Sequence, residues 1–254
     1  MNVTTLWKNL KKAIDTCELE SNTSDNYVLE PLQNENTEYK HARIPIRPLH
    51  YNEKCLVVVL GIGNEIGAEK ALRKKFPKNC KFYGVDPVAK PNKKLFESVP
   101  GKYHRGAIGA VSGAKKVTVL IGTLFRTYTI QQMALEDYIT NVVGRSDVLD
   151  WLSIDIEGGE IDLFPSLLPN GLFDKLNMHV CQLNMELHLS DKLAEPTKSN
   201  IAIFNFLRDA MNSERFVFLK IAYPFNARIT FYAMNVESAL CRGRYFKSLK
   251  PYSN

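Results

Sequence analysis

The chain contains no run of about 18 consecutive apolar residues, so no helix that spans a membrane is expected. Its first residues, Met1 to Lys12, lack the apolar centre of a secretory signal; a cytoplasmic location is the default expectation, with the secretory route left open. Cysteine is sparse. Cys17, Cys55, Cys80, Cys181 and Cys241 form no CxxC pair, which argues against a zinc site and a dense disulfide framework. Their odd count and wide scatter read as thiols in a reducing compartment, with Cys241 a candidate reactive thiol. Internal repeats and low-complexity tracts are absent. What remains is a chain of 254 residues, 45% hydrophobic and 24% charged, a composition that excludes disorder and collagen-like structure.

Charge is distributed unevenly. The net value is +6, yet residues 69–116 hold thirteen Lys and Arg against three acids. Such a stretch attracts acidic partners or simply solvates a helical face; the second reading is preferred, because no aromatic residues interleave to make a nucleic-acid groove. No specific nucleic-acid partner is expected. Residues 1–50 read as an N-terminal extension. Leu6, Leu10 and Ile14 share one face of a short helix, 17–37 is polar and loose, and Pro45 and Pro48 mark an extended lead-in. Asn2-Val3-Thr4 and Asn22-Thr23-Ser24 match the glycosylation acceptor pattern and read as chance matches.

Residues 51–254 form the second unit, in which strands and helices alternate. Strands are expected at 55–60, 81–85, 103–108, 116–121, 149–154 and 178–185, and helices at 64–76, 91–99, 131–142, 161–168 and 201–211. The runs 216–222 and 229–235 read as a closing antiparallel hairpin. This pattern implies an α/β, Rossmann-like fold with a mostly parallel sheet.

Two segments carry chemistry. Leu60-Gly61-Ile62-Gly63-Asn64-Glu65-Ile66-Gly67 follows the first strand and opens a helix, and Asp86 ends the next strand nineteen positions after Gly67. Gly61, Gly63 and Gly67 would let the backbone turn closely round a ligand, and Asp86 would accept ribose hydroxyls. The spacing is G-x-G-x-x-x-G, and Glu65 would repel a pyrophosphate by roughly 3 kcal/mol at ~5 Å. A cationic nucleoside without phosphate fits better. The second segment is Trp151-Leu152-Ser153-Ile154-Asp155-Ile156-Glu157-Gly158-Gly159-Glu160. Asp155 and Glu157 follow a buried strand at the sheet end where α/β folds bind ligands, placed to hold a cationic amine or take a proton from a hydroxyl. Glu186 and His188 leave the next strand at the same end, and either is a candidate base. Asp155, Glu157 and His188 could also gather round a divalent cation, but nothing fixes a ligand count and no metal is assigned.

These residues resemble the FkbM-type methyltransferases, a branch of the class I S-adenosylmethionine-dependent enzymes, and in particular the form expanded in nematodes. The resemblance covers about residues 51–246. It is carried by Leu60-Gly61-Ile62-Gly63, Tyr83-Gly84-Val85-Asp86-Pro87, Ala107-Ile108-Gly109, the 152–160 segment, Gln182 through Glu186-Leu187-His188, and Asn235-Val236 with Cys241. It implies a seven-stranded sheet, S-adenosyl-L-methionine as cofactor, and O-methylation of a hydroxyl on a small molecule or glycan. Under it, Ala107 and Ile108 flank the adenine, and Asp155 and Glu157 face the methionine end and the acceptor. One position departs from the pattern: the acid usual two places before the second glycine is Gly61 here, with Glu69 or Asp155 as its substitute. That departure supports the alternative of a non-catalytic Rossmann-like binding module. A nucleotide-dependent oxidoreductase is the third reading, disfavoured by the glycine spacing.

Overall fold

The computed structural model describes residues 9–16, 28–35, 38–189, 197–222 and 228–246. Its centre is a seven-stranded sheet. We label its strands β1 (Leu56–Leu60), β2 (Lys81–Asp86), β3 (Gly101–Arg105), β4 (Trp151–Ile154), β5 (Gln182–His188), β6 (Phe216–Ala222) and β7 (Arg228–Asn235). Their order across the sheet is β6-β7-β5-β4-β1-β2-β3. β3, β2, β1, β4 and β5 run parallel, and β7 pairs antiparallel with both β5 and β6. The expected closing hairpin is therefore present, although its turn, 223–227, lies outside the described residues.

Leu-Val-Val-Val-Leu in β1 is buried at every position because both faces of the sheet are covered. Val57 and Val59 join one apolar core with Trp151 and Leu72; Leu56, Val58 and Leu60 join the other with Leu152, Leu183 and Phe231. The helices α1 (Gly67–Lys75), α2 (Ala89–Glu97) and α3 (Lys198–Asn212) fall near the expected places, whereas α4 (Ala239–Tyr245) was not expected. The 131–142 helix is a correction. Leu124–Ala134 is a long strand that pairs antiparallel with Gly113–Ile121 and parallel with Ala107–Gly109, and helical structure begins only at Leu135. Alternation of apolar and polar residues runs from Thr127 to Gln131 and breaks at Gln132, where pairing with neighbouring strands overrides local helix preference.

The N-terminal segment also differs from expectation. Ile14, on a helix over 9–16, is buried in the main core, with Leu10 packed beside it; Leu6 lies outside the described residues. Glu30–Gln33, within the 17–37 stretch expected to be loose, pairs antiparallel with Tyr39–Ala42 in a hairpin. Its backbone is read by side-chain amides from β5. Asn184 accepts from His41 N (2.8 Å) and donates to His41 O (2.9 Å), while Gln182 accepts from Arg43 N (2.7 Å) and donates to Arg43 O (3.1 Å). Residues 41–43 supply the main-chain partners of these buried amides, and the Tyr232 hydroxyl donates to Gln182 as well (2.7 Å). The glycosylation patterns at Asn2 and Asn22 lie outside the described residues.

The cysteine reading is overturned. Cys55–Cys80 and Cys181–Cys241 are disulfides with Cα separations of 4.4 and 5.1 Å. Scattered positions in the sequence meet because β1 and β2 start side by side and α4 folds back on the start of β5. Cys241 is thus not a reactive thiol, and Cys17 lies outside the described residues. By loop length the two bridges contribute roughly 3.5 and 4 kcal/mol if chain entropy dominates. At the same end of the sheet Asp150, fully buried, accepts from Arg244 (2.6 Å), the Tyr245 hydroxyl (2.7 Å) and Leu56 N (2.9 Å), tying α4 to β1.

Candidate functional site

The carboxyl ends of β1, β2 and β4 open onto a cavity of about 210 Å³. Gly61, Gly63, Asp86, Ala107, Ile108, Asp155 and Glu157 all line it. Gly67 does not. A Cβ there would meet Gln33 O at 2.7 Å, so this glycine serves the close packing of the N-terminal hairpin on α1. Glu186 and His188 sit behind Asp155 rather than in the cavity wall. Sequence reasoning missed the opposite wall, formed by residues 115–120 of the Gly113–Ile121 strand, with Gln132. The alternation Lys116-Val117-Thr118-Val119 was the available signal for a strand; nothing in it signalled a wall. Of its two lysines, Lys115 is ion-paired with Asp162.

The glycine turn is built on positive φ: +86° at Gly61, +63° at Gly63 and +66° at Asn64. Gly61 has a second constraint. An added Cβ would stand 1.7 Å from the carbonyl oxygen of Asp155, so the chain crosses the place where the usual acid would begin. The departure from the family pattern therefore has a steric cause: β4 presses its backbone against the turn. Glu69 is no substitute, being buried and held by Lys40 at 2.9 Å away from the cavity. Asp86 anchors the turn from below. Its Oδ2 accepts from Ile62 N (2.9 Å) and Gly63 N (3.3 Å), and its Oδ1 from Val88 N (2.7 Å). A carboxylate oxygen has room for more than one donor, so these bonds leave acceptor capacity toward the cavity. Tyr103 donates to Asp86 O at 2.6 Å, and burial with the Asp86 charge pushes its phenol up to about 12.

β4 ends at Ile154, and Asp155 and Glu157 do not share a pleat face. Glu157 adopts φ +54° and Gly158 +95°. A left-handed non-glycine residue costs roughly 1–2 kcal/mol, and the turn it makes returns the Glu157 carboxylate toward β5. There His188 forms a hub. Its Nδ1 lies 3.0 Å from Glu160 Oε1; its Nε2 lies 3.1 Å from Glu157 Oε2, 3.3 Å from Glu186 Oε1 and 3.9 Å from Asp155 Oδ1. Arg228, opposite His188 across the β5–β7 pair, reaches Glu186 at 2.9 Å. Burial works against a charged imidazole, but the surrounding Glu157, Glu160 and Glu186 outweigh it and push His188 up to about 12. Asp155 is held well above the usual carboxylate range by burial, then by the charges of Glu186 and Glu157. Burial would also raise Glu186, yet His188, Arg228 and Lys40 bring it below its ordinary value.

A glycine turn, an acid on the adjacent strand, and carboxylates at the end of β4, set on a 6-7-5-4-1-2-3 sheet, define a Rossmann-like class I methyltransferase. A family model described as the methyltransferase FkbM domain matches residues 14–218. The chain belongs to this family, whose methyl donor is S-adenosyl-L-methionine. The match begins well inside the segment expected as an extension. No curated protein matches the chain. Solved structures similar to it include Aeropyrum pernix fibrillarin with natively bound S-adenosyl-L-methionine, 13% identical over 83% of this chain and 84% of that one, with a TM-score of 0.40. A protein described as a candidate rRNA methylase from Clostridium thermocellum is 11% identical, covering 73% and 89%, TM-score 0.39. The 16S rRNA methylase ArmA is 9% identical, covering 73% and 76%, TM-score 0.31.

Proposed function

We propose that the protein transfers the methyl group of S-adenosyl-L-methionine to a hydroxyl on a small molecule or glycan. The observation that carries this reading is the single cavity that gathers Gly61, Gly63, Asp86, Ala107, Ile108, Asp155 and Glu157. The residues fit the donor. Asp86 offers carboxylate oxygens for the ribose, Ala107 and Ile108 offer an apolar flank for the adenine, and the open space beside Gly63 admits the chain of the ligand. The Asp155 carbonyl, standing where an acid is usual, and the Asp155 and Glu157 carboxylates suit a cationic sulfur and amine.

The donor supplies an activated methyl group on a sulfonium. Transfer of that methyl to an acceptor oxygen would leave the sulfur with the electron pair as a neutral thioether, and a carboxylate would take the hydroxyl proton. Asp155 takes this proton: like Glu157 it borders both the cavity and the cluster behind, but burial and the charges of Glu186 and Glu157 raise its proton affinity well above the usual carboxylate range. Alignment of oxygen, carbon and sulfur supplies most of the acceleration, and the base a further 10²–10⁴-fold, roughly.

The two disulfides favour an oxidising compartment, such as the secretory route, over the cytosolic default. No helix among the described residues is long and apolar enough to cross a membrane. Calorimetric titration with S-adenosylhomocysteine and with NAD tests the reading: the first should bind and the second should not. Binding of NAD alone overturns it. Gly61 keeps the binding-module reading in view, and binding without methyl transfer to any hydroxylated acceptor in labelled cell-extract fractions would favour it.

A further inference from the structure

Beside the cavity, the His188 hub has the form of a cation site. We propose that it holds one divalent metal ion, bound by His188 Nε2 with carboxylate oxygens of Asp155, Glu157 and Glu186, and that Glu160 positions the imidazole. The site is argued from its own geometry; its service to an acceptor hydroxyl rests on the methyl-transfer reading.

The first argument is orientation. Glu160 is fully buried, and its Oε1 accepts from Ile156 N at 2.8 Å while facing His188 Nδ1 at 3.0 Å. A carboxylate on one ring nitrogen is how proteins fix a metal-binding histidine, leaving the other nitrogen's lone pair to the ion. The second is spacing. Neighbouring ligands on an ion with bonds of ~2.1 Å stand about 3 Å apart. Glu157 Oε2 and Glu186 Oε1 already lie 3.1 and 3.3 Å from His188 Nε2. Asp155, Glu160 and His188 each offer an atom within 4.8 Å of the others.

The third argument is the polar atoms left over. Asp155 Oδ1 and Glu160 Oε2 are buried without a hydrogen bond, a costly condition for each; Glu186 Oε1 and His188 Nε2 also lack one and are met only by ion pairs, with Arg228 at 2.9 Å and Glu157 at 3.1 Å. Glu160 is 0% and Glu186 7% exposed. Four carboxylates converge here. Arg228 reaches one of them and Lys40 is taken up by Glu69, so negative charge remains in excess. One ion at Nε2 would engage Asp155, Glu157 and Glu186 together. One imidazole with several carboxylates suits Mn²⁺, Fe²⁺ or Zn²⁺ better than an all-oxygen site would. Such an ion would bind the acceptor oxygen as a Lewis acid and ease the loss of its proton, while Asp155 keeps its second oxygen to receive it.

The test uses the full chain with its disulfides intact, dialysed against chelator and titrated with Mn²⁺. Electron paramagnetic resonance of the free ion should show one bound equivalent, and pulsed measurements should show nitrogen coupling from one imidazole. His188→Gln should remove the coupling and weaken binding at least tenfold, and Glu160→Gln should weaken it about 10–100-fold. Should the His188 variant fail to fold, the coupling in the unaltered protein decides alone. Absence of binding at millimolar Mn²⁺, bound Mn²⁺ without nitrogen coupling, or coupling that persists in folded His188→Gln overturns the site. The same metal-free protein is titrated with S-adenosylhomocysteine. If that ligand binds and Mn²⁺ does not, the ion falls and the methyl-transfer reading stands; the reverse pattern sinks the transfer reading and keeps the ion.

Discussion

At the residue scale, Asp86 and Gly61 decide the shape of the cleft between them. Asp86 spends both oxygens on backbone N–H groups of the turn and its own β2 exit, while still bordering the cavity. Asp86→Ala should weaken S-adenosylhomocysteine binding at least tenfold, about 1.5 kcal/mol, as loss of charged hydrogen bonds predicts. Unchanged affinity by calorimetry would show that the carboxylate meets only the protein. Gly61→Asp would restore the usual acid, but the carbonyl of Asp155 occupies its Cβ position and φ is +86°. The variant should lose stability by about 3 kcal/mol or more, as overpacking and a strained backbone combine. A melting curve that matches the parent protein would refute the steric explanation.

At the element scale, β strands with unbroken apolar runs were legible in the sequence because burial on both faces leaves no alternation to misread. Leu56–Leu60 is the example, and Trp151–Ile154 comes close, interrupted only by a buried Ser153. The Leu124–Ala134 strand was not legible at its end. What keeps Gln132–Ala134 extended is pairing with Ala107–Gly109, a partner more than twenty residues away. The cavity acids were legible for the same reason as the strands: they follow directly from buried runs. The return of Glu157 to His188 was not, since it depends on a left-handed turn that sequence spacing does not reveal. In the lead-in to β1, Arg47 bonds Glu53 through two nitrogens at 2.7 and 2.8 Å. Arg47 lowers Glu53 to about 2 from an ordinary value of 4.5. A depressed folded-state value means stability that is present above the unfolded value and lost as pH falls through the folded one. Arg47→Ala should therefore destabilise at pH 7 in denaturant titrations, and its deficit should shrink between about pH 4.5 and 2. A deficit that stays constant over that range would remove the pair from the stability account.

For the whole molecule, the disulfides change the setting in which the fold operates. Neither was legible, because Cys55 and Cys80 are 25 positions apart and Cys181 and Cys241 are 60 apart, and only the topology brings each pair together. Alkylation of the unreduced, unfolded protein followed by peptide mass spectrometry should leave Cys55, Cys80, Cys181 and Cys241 unlabelled, with all four labelled after reduction. Labelling of any of them without reduction would return the protein to a thiol-keeping environment. The parallel core, the closing hairpin and the end of the sheet that carries the cavity followed from the order of strands and helices, since right-handed crossovers leave few other arrangements.

The amides of Gln182 and Asn184 grip the main chain at residues 41 and 43, not the side chains there. That grip depends on the path of the upstream chain rather than on its side chains, and a shortened version beginning at residue 51 would strip Asn184 of its partners at His41 and Gln182 of its main-chain ones, fraying the sheet from within.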